Sequence, residues 1–339
     1  MAGFLKHLPI YYYYYITLIT TLLHKTISYF LNLPNHTLFF SVVTLNEYLL
    51  HLYFHYHNLK PQTITLDSHT HLHFWVPTTI NKSKPSIVLI HGFGGNAKWQ
   101  LHHQISSLSQ SSNLYVPDLL FFGKSYSSRS GRSDAFQAEC VGEGLRRLGV
   151  ERYGVFGVSY GGYVAYQMAD MYRDEVEKVV VLSSGICYSE EERVRKIIGG
   201  GKDVEDIFIP ENVEDLRMLI GLSWFKPFWV PDFVLQDFIN VMNRTHKKER
   251  KEMLHHLLMS KSDLDSLPVL NQETLIIWGD ADKVFPLNLG HRLARHLGAK
   301  AKLEVIKDVG HAANLESPHA VNHLLKSFFT SSSNYNVQR

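Results

Sequence analysis

The sequence predicts an α/β fold with a mostly parallel sheet, and three observations carry that prediction. Short apolar runs recur from about residue 87 to 306, helical segments lie between them, and glycines close several of those segments. Buried parallel strands read as continuous apolar runs, and strands alternating with helices build a parallel sheet.

The elements follow in order. Gln62 to Leu66 and His71 to Val76 alternate in polarity around Asp67-Ser68-His69, which predicts an antiparallel hairpin leading into the sheet. The strands proper are expected at Ile87 to Ile90, Leu114 to Val116, Tyr153 to Phe156, Val179 to Leu182, Leu275 to Trp278 and Leu303 to Ile306. Ser133 offers an N-cap for a helix from Ala135 to Leu148 that stops at Gly149, although Gly142 and Gly144 weaken it. Further helices are expected from Gly161 to Tyr172 and from Pro286 to Leu297, the latter with proline at its start.

Two regions break the rhythm. Residues 187–268 read as helical and carry Trp224, Phe225, Phe228, Trp229 and Phe233, so the expectation is a helical cap over the carboxyl edge of the sheet. These rings suit either an apolar tunnel or a cement between cap and sheet. Residues 1–58 form a hydrophobic extension. Leu8 to Leu23 lacks charge but is short for a ~30 Å hydrocarbon core, and its tyrosines with flanking Lys6 and Lys25 suit a shallow interfacial anchor. Beyond it, Leu45, Tyr48, Leu49, Leu52 and Tyr53 recur at helical spacing. The domain expectation is therefore an extension over 1–58, a core over 59–186 and 269–330, a cap over 187–268 and a tail over 331–339. Localisation is expected to be membrane-associated or cytoplasmic, with a secretory signal as the competing reading of the first residues.

Composition excludes several classes. The 339 residues are 45% hydrophobic and 19% charged, which is not a disordered composition. With 34 basic and 32 acidic residues, the net charge of +2 gives no basic excess for nucleic acid. Cys140 and Cys187 are the only cysteines, too few for a disulfide framework or a thiolate zinc site. His69, His71 and His73 alternate, and the expectation is solvated side chains on a hairpin face rather than metal ligands.

The chemistry sits at strand ends. Gly157-Val158-Ser159-Tyr160-Gly161 matches G-x-S-x-G between a strand and a helix, a sharp turn that exposes a serine hydroxyl. His91-Gly92-Phe93-Gly94-Gly95 follows the first parallel strand, where an oxyanion-binding loop is expected. Gly279-Asp280-Ala281-Asp282 supplies an acid after one strand, and Gly310-His311 supplies a base after the last. Serine, acid, histidine is the chain order of one particular triad arrangement. Asp118, Asp280 and Asp308 also lie near strand ends, and loop hydrogen bonding accounts for each.

From about Thr63 to Phe329 the sequence resembles the α/β-hydrolase superfamily, and within it a plant group related to monoacylglycerol lipases and bacterial carbon-carbon bond hydrolases. The resemblance is carried by LIHGFGGNAKWQ, YVPDLLFFGKS, FGVSYGGYVAYQMA, LIIWGDADKVFP and VGHAANLESP. It implies an α/β-hydrolase fold and a serine ester hydrolase with Ser159 as nucleophile and His311 as base. It also implies Asp282 over Asp280 as the acid, and Phe93 and Tyr160 as the oxyanion amides. It implies no metal or organic cofactor. A lipid ester such as a monoacylglycerol is one expected substrate, and a small-molecule receptor or a lyase on the same fold is the alternative. Where many relatives carry D-x-P-G-x-G, this chain has Asp118-Leu119-Leu120-Phe121-Phe122-Gly123, and that apolar loop is expected to line the pocket.

Overall fold

The computed structural model describes residues 41–188, 204–259 and 266–331. The Leu8 to Leu23 run and the stretch Glu190 to Lys196 therefore lie outside the described residues. The chain separates into two compact units, residues 1–49 and 50–339. In the first, residues 42–49 form the opening turns of helix α1 (Val42–Tyr56).

In the second unit, the hairpin β1 (Leu59–Asp67) and β2 (Thr70–Pro77) pairs antiparallel, Thr63 opposite His73 and Thr65 opposite His71. Then come β3 (Ser86–Ile90), α2 (Ala97–Leu108), β4 (Asn113–Pro117), the two-residue β5 (Tyr126–Ser127) and α3 (Asp134–Arg147). β6 (Tyr153–Val158), α4 (Tyr160–Met171) and β7 (Val176–Leu182) follow. The described part of the interval after β7 is helical: α5 (Val204–Phe208), α6 (Val213–Ser223), α7 (Asp232–Phe238) running into a wide turn over Ile239–Asn243, and α8 (Lys247–Met259). β8 (Glu273–Gly279), α9 (Asn288–Leu297), β9 (Ala301–Ile306), α10 (Ala313–Glu316) and α11 (Pro318–Thr330) complete the chain.

The sheet order is β1-β2-β4-β3-β6-β7-β8-β9, with β5 pairing on β2. Every neighbour pair from β4 to β9 is parallel, whereas β2 meets β4 antiparallel. The chain leaves β3 toward β4 on one side and returns to β6 on the other, so β3 and β6 flank the point where strand order reverses. Ligands of open α/β sheets bind outside the carboxyl ends of the strands at such a point.

Side chains alternate between two cores. In β3, Ile87 and Leu89 face one cluster with Leu101, Ile105, Val321 and Leu325, while Val88 and Ile90 face another with Leu145, Val164, Met168 and Leu293. This period of two explains why the strands read as unbroken apolar runs: both faces are covered by helices. Ser133 caps α3 by accepting from the Phe136 N–H, as its position predicts, and Asn96 caps α2 through the Lys98 and Trp99 N–H groups.

Several expectations are corrected. Pro286 precedes rather than opens its helix, which begins at Asn288; Leu289, Leu293 and Leu297 then form its buried face. On α1, the described second-unit residues that bury are Leu50 and Phe54, with Phe54 edge-on to Trp75 at 5.0 Å, while Leu52 and Tyr56 stay exposed. His73 is not a solvated hairpin histidine. It is buried, and its Nδ1 lies 3.0 Å from the buried Asp118 Oδ2. The loop Leu119 to Phe122 packs into the core: all four residues are buried, and Phe121 adopts φ +73°. Among the described residues of the interval 187–268, Leu216, Leu235 and Ile239 form one buried cluster and Ile209, Met253 and Leu254 are buried as well, while Trp229 and Phe233 are exposed at 75% and 51%. Trp224, Phe225 and Phe228 are half-buried, so the five rings are divided between packed and solvent-facing positions.

Candidate active site

Ser159 stands between β6 and α4 with φ 54° and ψ −116°, a conformation that side chains rarely hold. Glycine makes the turn possible at two close approaches. A Cβ on Gly157 would fall 2.1 Å from the Gly161 oxygen, and one on Gly161 would fall 2.4 Å from the Ile90 oxygen. The sharp turn therefore needs both glycines of the motif.

The structure brings the three expected polar side chains into one line. Ser159 Oγ lies 2.9 Å from His311 Nε2, and His311 Nδ1 lies 2.9 Å from Asp282 Oδ2. A carboxylate only accepts, so Nδ1–H donates to Asp282 and the Nε2 lone pair is left to accept from the serine hydroxyl. Asp282 is itself fixed, because its Oδ1 accepts from the Val284 and Phe285 N–H groups at 2.8 Å each. Its side chain is fully buried and that of His311 is 10% exposed, so the pair works in a low-dielectric setting. Asp280, by contrast, is exposed and accepts from the Asp308 N–H at 2.8 Å, a loop-stapling role. Asp118 also staples loops, but from a buried position, accepting from the Ala97 and Lys124 N–H groups.

Phe93 and Tyr160 lie beside the serine on neighbouring strand ends. Their rings meet edge-on at 4.9 Å, and a Cβ on Gly92 would come within 3.0 Å of Ser159 Cβ. The loop after β3 is thus pressed against the serine. Phe122 packs behind it, 5.2 Å from the Phe93 ring and 5.3 Å from the His91 ring. His91 is wholly buried, and burial lowers its pKa, which keeps the ring neutral. Its Nδ1–H donates to Gly92 O at 2.8 Å and its Nε2 accepts from the Leu119 N–H at 3.0 Å.

Two groups around the site were not singled out by sequence. Gln100 reaches from α2 to the backbone of residues 92–94, and Glu316 on α10 accepts from the N–H groups of Gly310, Phe225 and Lys226. Both lie inside motif stretches, yet their partners are backbone atoms, which leave no mark on residue identity. Ala312 N–H also donates to Ser223 O at 2.9 Å, so both neighbours of His311 are bonded: Ala312 to the end of α6, and Gly310 to the Glu316 carboxylate shared with Phe225 and Lys226. Among the described residues no group of three or more His, Cys, Asp or Glu side chains is arranged to hold a metal ion. No helix among them is long and apolar enough to cross a membrane.

An acid-oriented imidazole touching a hydroxyl can raise the nucleophilicity of that hydroxyl, and the strained turn presents it at the sheet edge. The chain is similar to known hydrolases. The chain is 27% identical to a 2-hydroxy-6-oxononadienedioate/2-hydroxy-6-oxononatrienedioate hydrolase of a Pseudomonas species, covering 71% of this chain and 87% of the relative. It is 25% identical to monoacylglycerol lipase ABHD6 of Homo sapiens, covering 73% and 76%. Among solved structures, a 2-hydroxy-6-oxo-6-phenylhexa-2,4-dienoate hydrolase from Rhodococcus sp. strain RHA1 superimposes with a TM-score of 0.67 at 21% identity, covering 80% of this chain and 99% of that one. A thermophilic esterase from Thermogutta terrifontis gives 0.63 at 21% identity, covering 79% and 97%. The alpha/beta hydrolase family matches residues 87–324, the span from β3 into α11 that carries every one of these site residues, and the chain belongs to that family.

Proposed function

We propose that the protein is a serine hydrolase that cleaves a carboxylic ester through Ser159, His311 and Asp282. The observation that carries this reading is the pair of 2.9 Å hydrogen bonds joining the three side chains, with the serine held at φ 54°. His311 Nε2 takes the Ser159 proton as Oγ attacks the ester carbonyl. Asp282 holds the imidazole in the required tautomer and stabilises its charged form. The Phe93 and Tyr160 N–H groups receive the oxyanion. The imidazolium then protonates the departing alkoxide, and water, activated by the same base, releases the acid from the acyl-enzyme.

Lipid esters, such as a monoacylglycerol, are the substrate class that the lipase relatives favour. Burial contributes about 0.8 kcal/mol per methylene, so an apolar acyl site raises kcat/KM several-fold for each methylene until it is filled. The test is fluorophosphonate labelling followed by a series of aryl esters from acetate to decanoate. Medium chains are expected to exceed acetate, and activity that declines steadily beyond acetate rejects the lipid-ester assignment.

A second reading is favoured by the carbon-carbon bond hydrolases among the relatives. The same serine and histidine would then act on a vinylogous diketone, and turnover of such a compound without turnover of any ester would select it. Residues 1–58 are proposed to hold the protein at a membrane surface, supported by the Tyr-rich run flanked by Lys6 and Lys25. Equal partitioning of the full chain and a chain lacking residues 1–58 after lysis rejects that role.

A further inference from the structure

The oxyanion loop is gripped by one side chain that the reaction itself does not use. Gln100 Oε1 accepts from the Gly92 N–H at 2.8 Å. Its Nε2 donates toward three successive carbonyls, Gly92 O at 3.0 Å, Phe93 O at 3.1 Å and Gly94 O at 2.5 Å. The amide's orientation is unambiguous, since three acceptors surround one end and a donor meets the other. Gln100 is in turn held through its own backbone, whose carbonyl accepts from Asn314 Nδ2 at 2.6 Å.

The consequence follows from peptide geometry. The Gly92 carbonyl and the Phe93 N–H belong to one peptide unit, and no peptide bond among the described residues is cis. In a planar trans peptide the C=O and N–H point in opposite directions. Whatever fixes Gly92 O therefore aims the Phe93 N–H. Gln100 Nε2 and His91 Nδ1 both bind that oxygen, and Gly94 and Gly95 at φ +90° and +84° leave the following turn no side chain of its own to brace it.

We propose that Gln100 is a positioning residue for catalysis: it sets the peptide plane that presents the Phe93 N–H to the oxyanion, without touching substrate. This rests on the serine-hydrolase reading above. Misplacing a catalytic group by about 1 Å can cost about 10²-fold in rate, and removing one oxyanion donor costs about 10²–10³-fold. Because His91 retains its grip, loss of Gln100 is expected to lower kcat by about 10- to 100-fold.

The experiment compares the full chain with Gln100→Met, Gln100→Ala, Ser159→Ala and Asn113→Ala, using p-nitrophenyl butyrate and a trifluoromethyl ketone. The ketone binds as a tetrahedral adduct with a charged oxygen, so its inhibition constant reports the oxyanion site. Gln100→Met keeps the side-chain length and guards against collapse of the alanine variant. Asn113 is a matched control: its amide also staples three backbone groups, those of Asn81 and Lys84, at the opposite end of the sheet.

Both Gln100 variants are expected to lose kcat with KM within about threefold, and to weaken ketone inhibition by a similar factor to the loss of kcat/KM. Asn113→Ala is expected to melt earlier with kcat within about threefold of the parent. The proposal is overturned if Gln100→Met keeps kcat within threefold, or loses kcat with no change in ketone inhibition. Turnover surviving in Ser159→Ala overturns the serine-hydrolase reading instead, so the two failures are distinguishable.

Discussion

Gly310 donates its backbone N–H to Glu316 Oε2 at 2.7 Å, one residue before the histidine that meets Ser159. The same carboxylate accepts from the Phe225 N–H at 3.1 and 3.2 Å and from the Lys226 N–H at 3.3 Å. A Cβ on Gly310 would lie 2.7 Å from Phe225 N, so the two segments touch with no room for a side chain. Glu316 is therefore a two-way acceptor between the histidine loop and the segment after α6.

Glu316→Gln tests that bond set. A glutamine turns one of its ends, an N–H₂ group, toward backbone donors that need an acceptor. Leaving such donors unsatisfied costs about 1–3 kcal/mol. Urea unfolding should show a loss in that range, and esterase kcat should fall with it because the His311 loop loosens; unchanged stability and unchanged kcat contradict the assignment.

Asp282→Asn should damage turnover far more than Asp280→Asn. Asparagine at 282 can present its N–H₂ to His311 and impose the wrong tautomer, a change worth about 10⁴-fold in kcat in the serine-protease triad. Asp280 holds only the Asp308 N–H, so its replacement should cost about 0.5–1.5 kcal/mol in stability and leave kcat within a few-fold. Steady-state kinetics of the two variants decide it, and the reverse ranking contradicts the choice of acid.

These acids show where sequence was sufficient. Ser159 follows β6 directly, and Asp282 and His311 lie in the loops after β8 and β9, so local pattern located the serine, the histidine and the Asp280/Asp282 pair, while the choice of Asp282 came from the family resemblance. Strands β3, β4, β6, β7 and β8 were legible because burial on both faces removes polar alternation, whereas β9 is half-exposed along its length. His73 was misread because its burial depends on Asp118, 45 residues away, and on an edge hairpin whose outer face alone the alternation suggests. The start of α9 was misplaced because proline tolerates both the first helical turn and the loop before it. Gln100 and Glu316 were invisible because backbone atoms are the same in every residue.

Phe121 offers a case where two effects oppose. Its φ of +73° costs about 1–2 kcal/mol for a residue with a Cβ, which Phe121→Gly would recover. The ring, however, is buried and stacked under the Arg132 guanidinium at 4.7 Å, and deleting a buried Phe costs about 3–5 kcal/mol. Packing wins, and the glycine variant should be destabilised by about 1–4 kcal/mol in urea unfolding. A variant as stable as the parent would show that backbone strain dominates this loop.

Three histidines should make the fold acid-sensitive. Burial lowers the pKa of His91, of His102 to about 4 and of His103 to about 3. A group with a depressed folded-state pKa contributes stability above its unfolded value, about 6.5, and loses it as pH falls toward the folded value. Each such histidine contributes a slope of at most about 1.4 kcal/mol per pH unit in that window, less where solvent reaches the ring. Unfolding free energy should therefore decline between pH 6.5 and 4, and a flat profile across that range contradicts the lowered values at His91, His102 and His103.

The central claim is that Ser159 is the nucleophile. The direct measurement is fluorophosphonate labelling of the parent and Ser159→Ala, read by intact mass alongside ester turnover. One adduct is expected on the parent, and neither adduct nor turnover above background on the variant, whose urea unfolding remains cooperative. An adduct of equal stoichiometry on the folded Ser159→Ala chain would contradict it.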